Sequence, residues 1–267
     1  MSNGQGRSTI ICRCSWLGTL AVKASNVSTF HIEPAALSGL QSKSLFYPAA
    51  GDDWGDFLSS FSDYVDEFHF CDITYDFSRL RSSLNCSWLQ IGREQQGNSS
   101  SLIENRHNER RPYKYVEPGR LKEVYESKLD GKRLTVIRRR GFGQYALAEF
   151  PDRSIGVFVH RGDSPGDGGS NVYFFTDRKF DHAPLSNLFS KLSAKLADRA
   201  LIVSDGSNAR PRFLKRFHNK NVSGSDAFAM LQHQLFSFGP FAWRCVGFMT
   251  PRYGPTLVWR VERQQSS

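Results

Sequence analysis

A glycine-rich segment of this sequence, His160–Ser170 (HRGDSPGDGGS), has the residue types that bind anionic groups. Glycines let the backbone adopt positive φ and approach a ligand closely, so successive N–H groups can hold an anion. An arginine can pair with a phosphate, and aspartates can hold a ribose hydroxyl or a metal ion. The same composition also fits a long hairpin loop whose residues serve only turn geometry. The candidate ligand-binding residues here are Arg161, Gly162, Asp163, Asp167, Gly168 and Gly169.

A second candidate site follows the apolar run Ala200–Ser204. Such a run is typical of a strand buried on both faces, and open α/β sheets bind ligands where these strands end. Asp205 and Asn208 come directly after the run and are its candidate ligand-binding residues. The alternative interpretation is that Asp205 and Gly206 form an ordinary turn at the end of a strand.

Basic residues interleaved with aromatic residues form three runs between residues 106 and 220. Cations bind phosphates and aromatic rings stack on the bases of single strands, so this combination is typical of nucleic-acid binding. Alternation along a strand would put Arg138 and Arg140 on one face and Arg139 on the other. A solvated charged face is the alternative. The candidate nucleic-acid-binding residues are Arg110, Arg111, Lys114, Arg138, Arg140, Arg210, Arg212, Lys215 and Arg216.

No motif identifies a catalytic residue or a cofactor. The sequence lacks a G-x-x-x-x-G-K-[ST] phosphate loop and an H-E-x-x-H zinc motif. Cys12 and Cys14 have neither the spacing nor the second pair that a structural zinc site needs. Asp72 and Asp76 share one face of a predicted strand and could, with Glu67 or Asp66, hold a metal ion for phosphodiester chemistry. Solvent-facing carboxylates are the simpler interpretation, so we predict no metal site.

Charge is distributed unevenly along the 267 residues. Residues 1–100 contain 7 Lys/Arg and 10 Asp/Glu, a net of −3, whereas residues 101–267 contain 28 and 16, a net of +12. Such asymmetry points to a polyanionic partner such as DNA or RNA. The acidic first part can instead meet a basic protein surface, including a second copy of the chain. With no run of 18 apolar residues and no secretory pattern, we predict a cytoplasmic protein that does not enter a membrane.

The elements that must position these candidates fall into two parts. The polar stretch 93–111 lacks the apolar residues of a packed core, which predicts a linker or exposed loop. It separates an acidic α+β part, 1–92, from a basic α/β part, 112–267. In the first part, residue patterns predict strands over Ser8–Trp16, Leu20–Ser25 and Glu67–Phe77 and a helix over Asp53–Val65.

The second part has a clearer alternation of elements. Amphipathic spacing predicts helices over Pro118–Leu129, Pro184–Ala197 and Asp226–Phe238. Alternating or apolar runs predict strands over Leu134–Arg140, Gln144–Phe150, Ile155–Arg161, Asn171–Asp177, Ala200–Ser204, Phe241–Thr250 and Thr256–Val261. The chain as a whole is therefore predicted to be α+β or α/β. Its mixed, largely antiparallel sheet is covered by helices, with a smaller α+β N-terminal part.

The order helix, buried strand, helix and antiparallel pair at the C-terminus resembles the second half of a class I methyltransferase fold. The segment GDSPGDGGS, which begins at Gly162, resembles that family's glycine-rich cofactor loop. The resemblance implies S-adenosylmethionine as a cofactor. The family's loop is followed directly by a helix, whereas Asn171–Asp177 has the pattern of a strand, and no N-P-P-Y or D-P-P-Y motif occurs.

Three functions are compatible with these features. The first, which we favour because its evidence is spread over many residues, is a nucleic-acid-binding protein whose basic half contacts phosphates. The second is a nucleotide- or S-adenosylmethionine-dependent transferase with a pocket between the glycine-rich loop and the end of strand 200–204. The third is a non-enzymatic interaction subunit. The sequence does not decide between them, nor whether a reaction is catalysed.

Overall fold

A computed structural model of the chain describes residues 29–51, 54–78, 84, 87–98, 103–105, 113–161, 188–207, 209–218, 220–250 and 255–264. The strands in these ranges are β1 Thr29–Ile32, β2 Ser44–Tyr47, β3 Glu67–Asp72, β4 Trp88–Gln96, β5 Ile103–Asn105, β6 Tyr113–Val116, β7 Gly119–Ser127, β8 Arg133–Arg140, β9 Ile155–His160, β10 Leu196–Ser204, β11 Leu235–Phe238, β12 Phe241–Thr250 and β13 Thr256–Arg263. The helices are α1 Pro34–Ser38, α2 Trp54–Phe61, α3 Gly143–Ala148, α4 Leu188–Lys195, α5 Arg212–Lys215 and α6 Gly224–Leu231.

Eleven of these strands form one mixed sheet in the order β1-β12-β13-β10-β9-β2-β3-β8-β7-β4, with β11 also paired to β12. The central strands β10, β9, β2, β3 and β8 are parallel to one another. Antiparallel strands flank them, β13 and β12 on one side and β7 and β4 on the other. The predicted fold class, a mixed sheet covered by helices, is confirmed.

The parallel strands follow a doubly wound order. Numbered along the chain, β2, β3, β8, β9 and β10 occupy the sheet in the order 3-2-1-4-5. The helices α1 and α2 pack on one face of the sheet, and α3 to α6 pack on the other. The next described helix after β2 is α2, and the next after β9 is α4. These two helices therefore lie on opposite faces of the sheet, although β2 and β9 are neighbours. In folds of this kind the carboxyl ends of those two strands flank a crevice.

Two apolar layers sandwich this sheet. The layer beneath α2 contains Phe57, Phe61 and Phe68, all fully buried. The opposite layer contains Trp243 and Trp259. Each such side chain contributes about 1.5–3 kcal/mol by leaving water, which holds the strand ends in fixed positions. All residues of β9 are buried, as expected for a central parallel strand covered on both faces.

Three predicted elements are wrong in type or extent. The segment predicted as a helix over Pro118–Leu129 is the strand β7. Its buried and partly buried residues alternate, because pairing with β4 and β8 overrides the helix propensity of its Glu, Lys and Leu residues. The segment predicted as a strand over Gln144–Phe150 is the helix α3. The predicted helix Asp226–Phe238 ends at Leu231, because the rest of it pairs with β12 as β11.

Most other predicted elements are confirmed with shifted ends. The strand predicted over Glu67–Phe77 ends at Asp72 as β3, and the helix predicted over Asp53–Val65 is the shorter α2. The predicted helix Pro184–Ala197 is described as α4, after which β10 begins at Leu196. The predicted strands that include residues 134–140, 155–160, 200–204, 241–250 and 256–261 are present. The predicted strands Ser8–Trp16, Leu20–Ser25 and Asn171–Asp177 lie outside the described residues.

Strands from both sides of the predicted polar linker belong to the one sheet. From the first part, β2 and β3 lie between β9 and β8 of the second part, and β1 pairs with β12. The first residues of the predicted linker, 93–96, complete the edge strand β4, whose side chains are mostly exposed. Residues 103–105 form β5, which pairs with β6 in a separate two-stranded ribbon.

Candidate functional site

The carboxyl ends of the parallel strands meet at one edge of the sheet, which we call the carboxyl edge. It is formed by Tyr47, Asp72, Arg140, His160 and Ser204 and by the loops that follow them. Ligands of doubly wound sheets bind at this edge, next to the point where the strand order reverses. That point lies between β2 and β9.

The carboxylate of Asp72 organises the loop that follows β2. Its Oδ2 accepts a hydrogen bond from the backbone N of Gly51 at 2.9 Å. Its Oδ1 accepts from the backbone N of Thr74 at 2.8 Å and from Thr74 Oγ1 at 2.6 Å. An ionised carboxylate offers about four acceptor positions, so these three donors leave room for one more. Asp72 itself is buried, with 6% of its surface exposed.

The loop that follows β8 packs directly against the loop that follows β2. A Cβ added to Gly143 would lie 2.4 Å from Cβ of Pro48, so only glycine allows this close approach. The backbone N of Gly141 donates to the carbonyl O of Asp72 at 3.1 Å. Beside this contact the rings of Phe142 and Tyr145 meet edge to face, and Tyr145 is 51% exposed. The loop that begins at the end of β8 and is bonded to the Asp72 backbone therefore carries an exposed aromatic ring.

The ends of β9 and β10 are joined through a buried histidine. His160 Nδ1 lies 3.1 Å from Ser204 Oγ, which also accepts from the backbone N of Gly206 at 3.0 Å. Burial lowers the pKa of His160 to about 4, opposed by the charge of Asp205 and reinforced by that of His218. The imidazole is therefore neutral at pH 7, and it links the last residues of β9 and β10.

The segment after β10 returns at once to the same edge. Gly206 has a positive φ of 77°, and a Cβ there would lie 2.3 Å from the carbonyl O of Leu214 in α5. His218 Nδ1 lies 3.2 Å from the carbonyl O of Asp205. The four predicted phosphate-binding residues of this segment are exposed: Arg210, Arg212, Lys215 and Arg216. They stand beside the carboxyl edge.

Arg138 and Arg140, predicted to bind nucleic acid, lie in the interior instead. Arg138 is 1% exposed, pairs with the carboxylate of Glu123 in β7 and lies over the Trp54 ring at 4.0 Å. Arg140 is 2% exposed and donates to the carbonyl oxygens of Glu117, Tyr75 and Asn98 at 2.7, 3.2 and 2.9 Å. The predicted sharing of one face is confirmed, but that face is covered, so these guanidinium groups do not reach a surface ligand.

The remaining candidates are described in part. Arg161 follows β9 and is 6% exposed, and Asp205 is half-buried with its Oδ1 accepting from the backbone N of Ser207 at 2.8 Å. Lys114 belongs to β6, but its side chain lies outside the description. The predicted site residues that fall outside the described residues are Arg110, Arg111, Gly162, Asp163, Asp167, Gly168, Gly169 and Asn208.

Sequence reasoning missed the two loops that Asp72 and Gly143 organise. A signal was present, because the short strand Ser44–Tyr47 is followed by Gly51 and a helix, and Asp72 is the last residue of the next strand. A G-x-G-x-x-G run between strand and helix, with an acidic residue about 20 positions later, is the pattern of a nucleotide-binding βαβ unit, and this segment has one of the glycines and the acidic residue. One glycine is a weaker signal than the glycine-rich segment at 160–170, so sequence reasoning selected the latter as the ligand-binding candidate.

Metal and thiol chemistry find little support in the described part of the chain. Among those residues, no group of three or more His, Cys, Asp and Glu side chains could hold a metal ion. Cys71 and Cys245 are buried and form no disulfide. Burial raises the pKa of both thiols, that of Cys245 to about 12, so neither is a nucleophilic thiolate at pH 7.

Comparisons of the chain with models of known protein families, with curated proteins and with solved structures find no match. Any assignment of function therefore depends on the geometry of the carboxyl edge and its surroundings. None of the helices in the described ranges has the length and apolar character needed to cross a bilayer.

Proposed function

We propose that this protein is a transferase that binds a nucleoside-containing cofactor at the carboxyl edge, with S-adenosylmethionine as the first candidate. The observation that carries the proposal is the 3-2-1-4-5 order of the parallel strands, which sets the Gly51 loop beside the reversal point. Fold alone does not specify chemistry, so the residues at that edge have to fit the cofactor.

The C-terminal half favours a methyltransferase over other kinds of transferase. The chain runs from α4 through β10, α5 and α6 to the hairpin of β12 and β13. In the sheet, β13 lies between β10 and β12 and is antiparallel to both. This is the arrangement of helix, buried strand, helix and antiparallel pair on which the resemblance to class I methyltransferases rests.

The residues at the edge fit a nucleoside. Asp72 follows Gly51 by 21 positions, close to the separation of about 20 at which an acidic residue binds ribose in dinucleotide folds. Its carboxylate retains one acceptor position for a ribose hydroxyl. Tyr145 offers an exposed ring on which a base can stack. S-Adenosylmethionine would supply an activated methyl group, and the protein would supply binding and orientation.

Each element of the edge has a defined part in this proposal. Asp72 orients the ribose and at the same time holds the Gly51 loop open for close approach. The His160–Ser204 pair fixes the ends of β9 and β10, from which the glycine-rich loop and the Asp205 turn begin. Because His160 is neutral at pH 7, it adds no charge that would repel a cationic cofactor.

Titration calorimetry of the full chain with S-adenosylmethionine tests the proposal, with Asp72→Asn as the main variant. Loss of a charge-assisted hydrogen bond costs about 1.5–3 kcal/mol, so we expect affinity to fall by about tenfold or more. Asp76→Asn is the matched control, since Asp76 accepts from Ser78 N and Oγ in the same local geometry but lies beyond the end of β3. Its affinity should match that of the unaltered protein.

A ligand series tests the ribose contact without altering the protein. Adenosine should compete with S-adenosylmethionine, and 2′,3′-dideoxyadenosine should compete about tenfold or more weakly, because it lacks the hydroxyls that Asp72 would bind. A folded, unaltered protein that binds neither S-adenosylmethionine nor adenosine would contradict the proposal. Equal competition by the two nucleosides would contradict the role of Asp72.

A further inference from the structure

The segment that connects β10 to α6 presents five cations to solvent, which we call the 210–220 basic surface. Its members are Arg210, Arg212, Lys215, Arg216 and Lys220, all exposed. No aspartate or glutamate occurs between residues 206 and 225. Among the described residues, none of the five has a carboxylate within ion-pair distance. Within the described ranges, the charge of this surface is therefore not neutralised by a carboxylate.

Several arginines elsewhere on the surface pair with a neighbouring carboxylate. Arg133 pairs with Glu126 at 2.9 Å, Arg244 with Glu33 at 2.8 Å and Arg263 with Asp198 at 2.7 Å. Among the described residues, the five cations of the 210–220 basic surface have no such partner. An uncompensated group of this kind concentrates positive potential at one place and attracts polyanions.

The apolar side chains of the same segment point into the protein. Leu214 and Phe217 are 4% and 7% exposed. The Phe213 ring lies 4.6 Å from that of Phe236 and 5.2 Å from that of Trp259. The segment is thus held by its apolar side chains, and its cations are exposed. A membrane-binding surface would also need exposed apolar anchors, which these residues do not provide.

This surface is directly joined to the carboxyl edge. Leu214 of α5 packs against Gly206, two residues after Ser204 at the end of β10. His218 in turn reaches the carbonyl O of Asp205 at 3.2 Å. A strand of phosphates bound by the five cations would therefore run past the ends of β9 and β10, beside the proposed cofactor site.

We infer that the 210–220 basic surface binds the phosphate backbone of a nucleic acid, which is the substrate of the carboxyl edge. Binding of the phosphate backbone is inferred from the charges and contacts above. That the bound nucleic acid is also the substrate rests on the proposed function. Phosphate contacts position a nucleic acid without reading its sequence, so the surface would bring a nucleotide to the cofactor and leave base selection to other residues.

Fluorescence anisotropy with a labelled single strand of about 20 nucleotides, as RNA and as DNA, measures this binding between about 50 and 300 mM salt. The test variant is Arg212→Gln with Lys215→Gln and Arg216→Gln in the full chain. Each lost phosphate contact on a single strand reduces the slope of log affinity against log salt by about 0.7, so we expect a slope shallower by about 2. Affinity at low salt should fall by about tenfold or more.

The matched control removes the same charge from the opposite edge of the sheet, with Arg133→Gln, Arg153→Gln and Arg199→Gln. These arginines lie toward the amino ends of β8, β9 and β10 and pair with Glu126, Asp198 and Glu262. We expect nearly unchanged affinity and slope. Equal losses in both triple variants, or no loss in the first, would overturn the inference. Binding of the unaltered protein to anionic phosphatidylserine vesicles but not to either strand would overturn it as well.

The cofactor measurements separate this inference from the proposed function. The Arg212, Lys215 and Arg216 triple variant should bind S-adenosylmethionine like the unaltered protein, and Asp72→Asn should still bind the strand. If the strand binds through the basic surface but no nucleoside binds the edge, the surface stands and the transferase proposal fails. If the cofactor binds and the triple variant still binds the strand normally, the basic surface fails and the transferase proposal stands.

Discussion

Arg138 and Arg140 in β8 and the cations of the 210–220 basic surface have the same formal charge and opposite surroundings. The two arginines of β8 lie under Trp54 and Phe77, with Glu123 and backbone carbonyls as partners. The 210–220 cations remain in water and have no carboxylate partner among the described residues. Both groups come from short runs of Arg and Lys in the sequence. A run of basic residues therefore predicts charge, but its neighbours in the fold decide whether that charge serves the core or a partner.

The largest expected effect comes from breaking the buried pair. Arg138→Met leaves the carboxylate of Glu123 buried without its partner, which destabilises a protein by about 3–5 kcal/mol. Urea unfolding of the full chain measures the change. The double variant Arg138→Met with Glu123→Leu removes both charges and should recover most of the loss, which distinguishes an unpaired charge from lost packing.

Arg139→Met is the matched control on the same strand, since Arg139 faces the other side and pairs with the half-exposed Glu149. A pair of this kind contributes about 1 kcal/mol or less. Equal destabilisation by Arg138→Met and Arg139→Met would show that burial of Arg138 has no energetic consequence. The contrast drawn between buried and exposed basic residues would then fail.

The next largest effect concerns the buried His160. Its pKa in the folded protein is about 4, below the ordinary value of 6.5, so the unfolded chain binds the proton more tightly. The free energy of unfolding is therefore not reduced by this group above about pH 6.5. It decreases as the pH falls from about 6.5 toward 4. At about pH 5 this group alone should lower stability by about 2 kcal/mol, at 1.36 kcal/mol per pKa unit.

His160→Gln isolates that contribution, because Gln keeps a hydrogen-bonding group near Ser204 and does not titrate. Urea unfolding of both proteins at about pH 7.5 and pH 5 should show a smaller loss in the variant, by about 2 kcal/mol. Parallel pH dependences in the two proteins would mean that His160 takes up its proton as easily in the folded state as in the unfolded one.

The smallest effect on stability is expected at the basic surface. The variant with Arg212→Gln, Lys215→Gln and Arg216→Gln should unfold within about 0.5 kcal/mol of the unaltered protein, since the side chains are exposed and unpaired with carboxylates in the described ranges. Part of any change would come from Arg216, which lies over the Phe217 ring at 5.2 Å. A loss above about 1 kcal/mol would show that these cations hold α5 in place, contrary to a binding role.

How far the fold was predictable depends on the range of the interactions involved. The apolar runs of β9 and β10 indicate strands correctly, because burial on both faces leaves few polar residues in a segment. The strand β7 was mistaken for a helix, because its Glu, Lys and Leu residues favour helices locally. Pairing with β4 and β8 imposes the strand, and these partners come from other segments, so the residues of β7 alone do not reveal them.

The candidate site was predictable only in pieces. Asp205 and the cations after it were found because they follow a recognisable buried strand. Asp72 was noticed as a carboxylate but not connected with Gly51, because the hydrogen bond between them joins residues 21 positions apart. The burial of Arg138 depends on Glu123 from the preceding strand, and no local pattern marks that pair.

The sequence by itself determined the mixed α/β class, the alternation that sets Arg138 and Arg140 on one face, and the exposed cations after the last parallel strand. Only the tertiary structure decided that five strand ends meet at one edge and which basic residues are neutralised inside. The physical reason is that parallel strands need crossover connections, so their pairing joins distant segments. Side-chain periodicity, in contrast, is a property of a few consecutive residues.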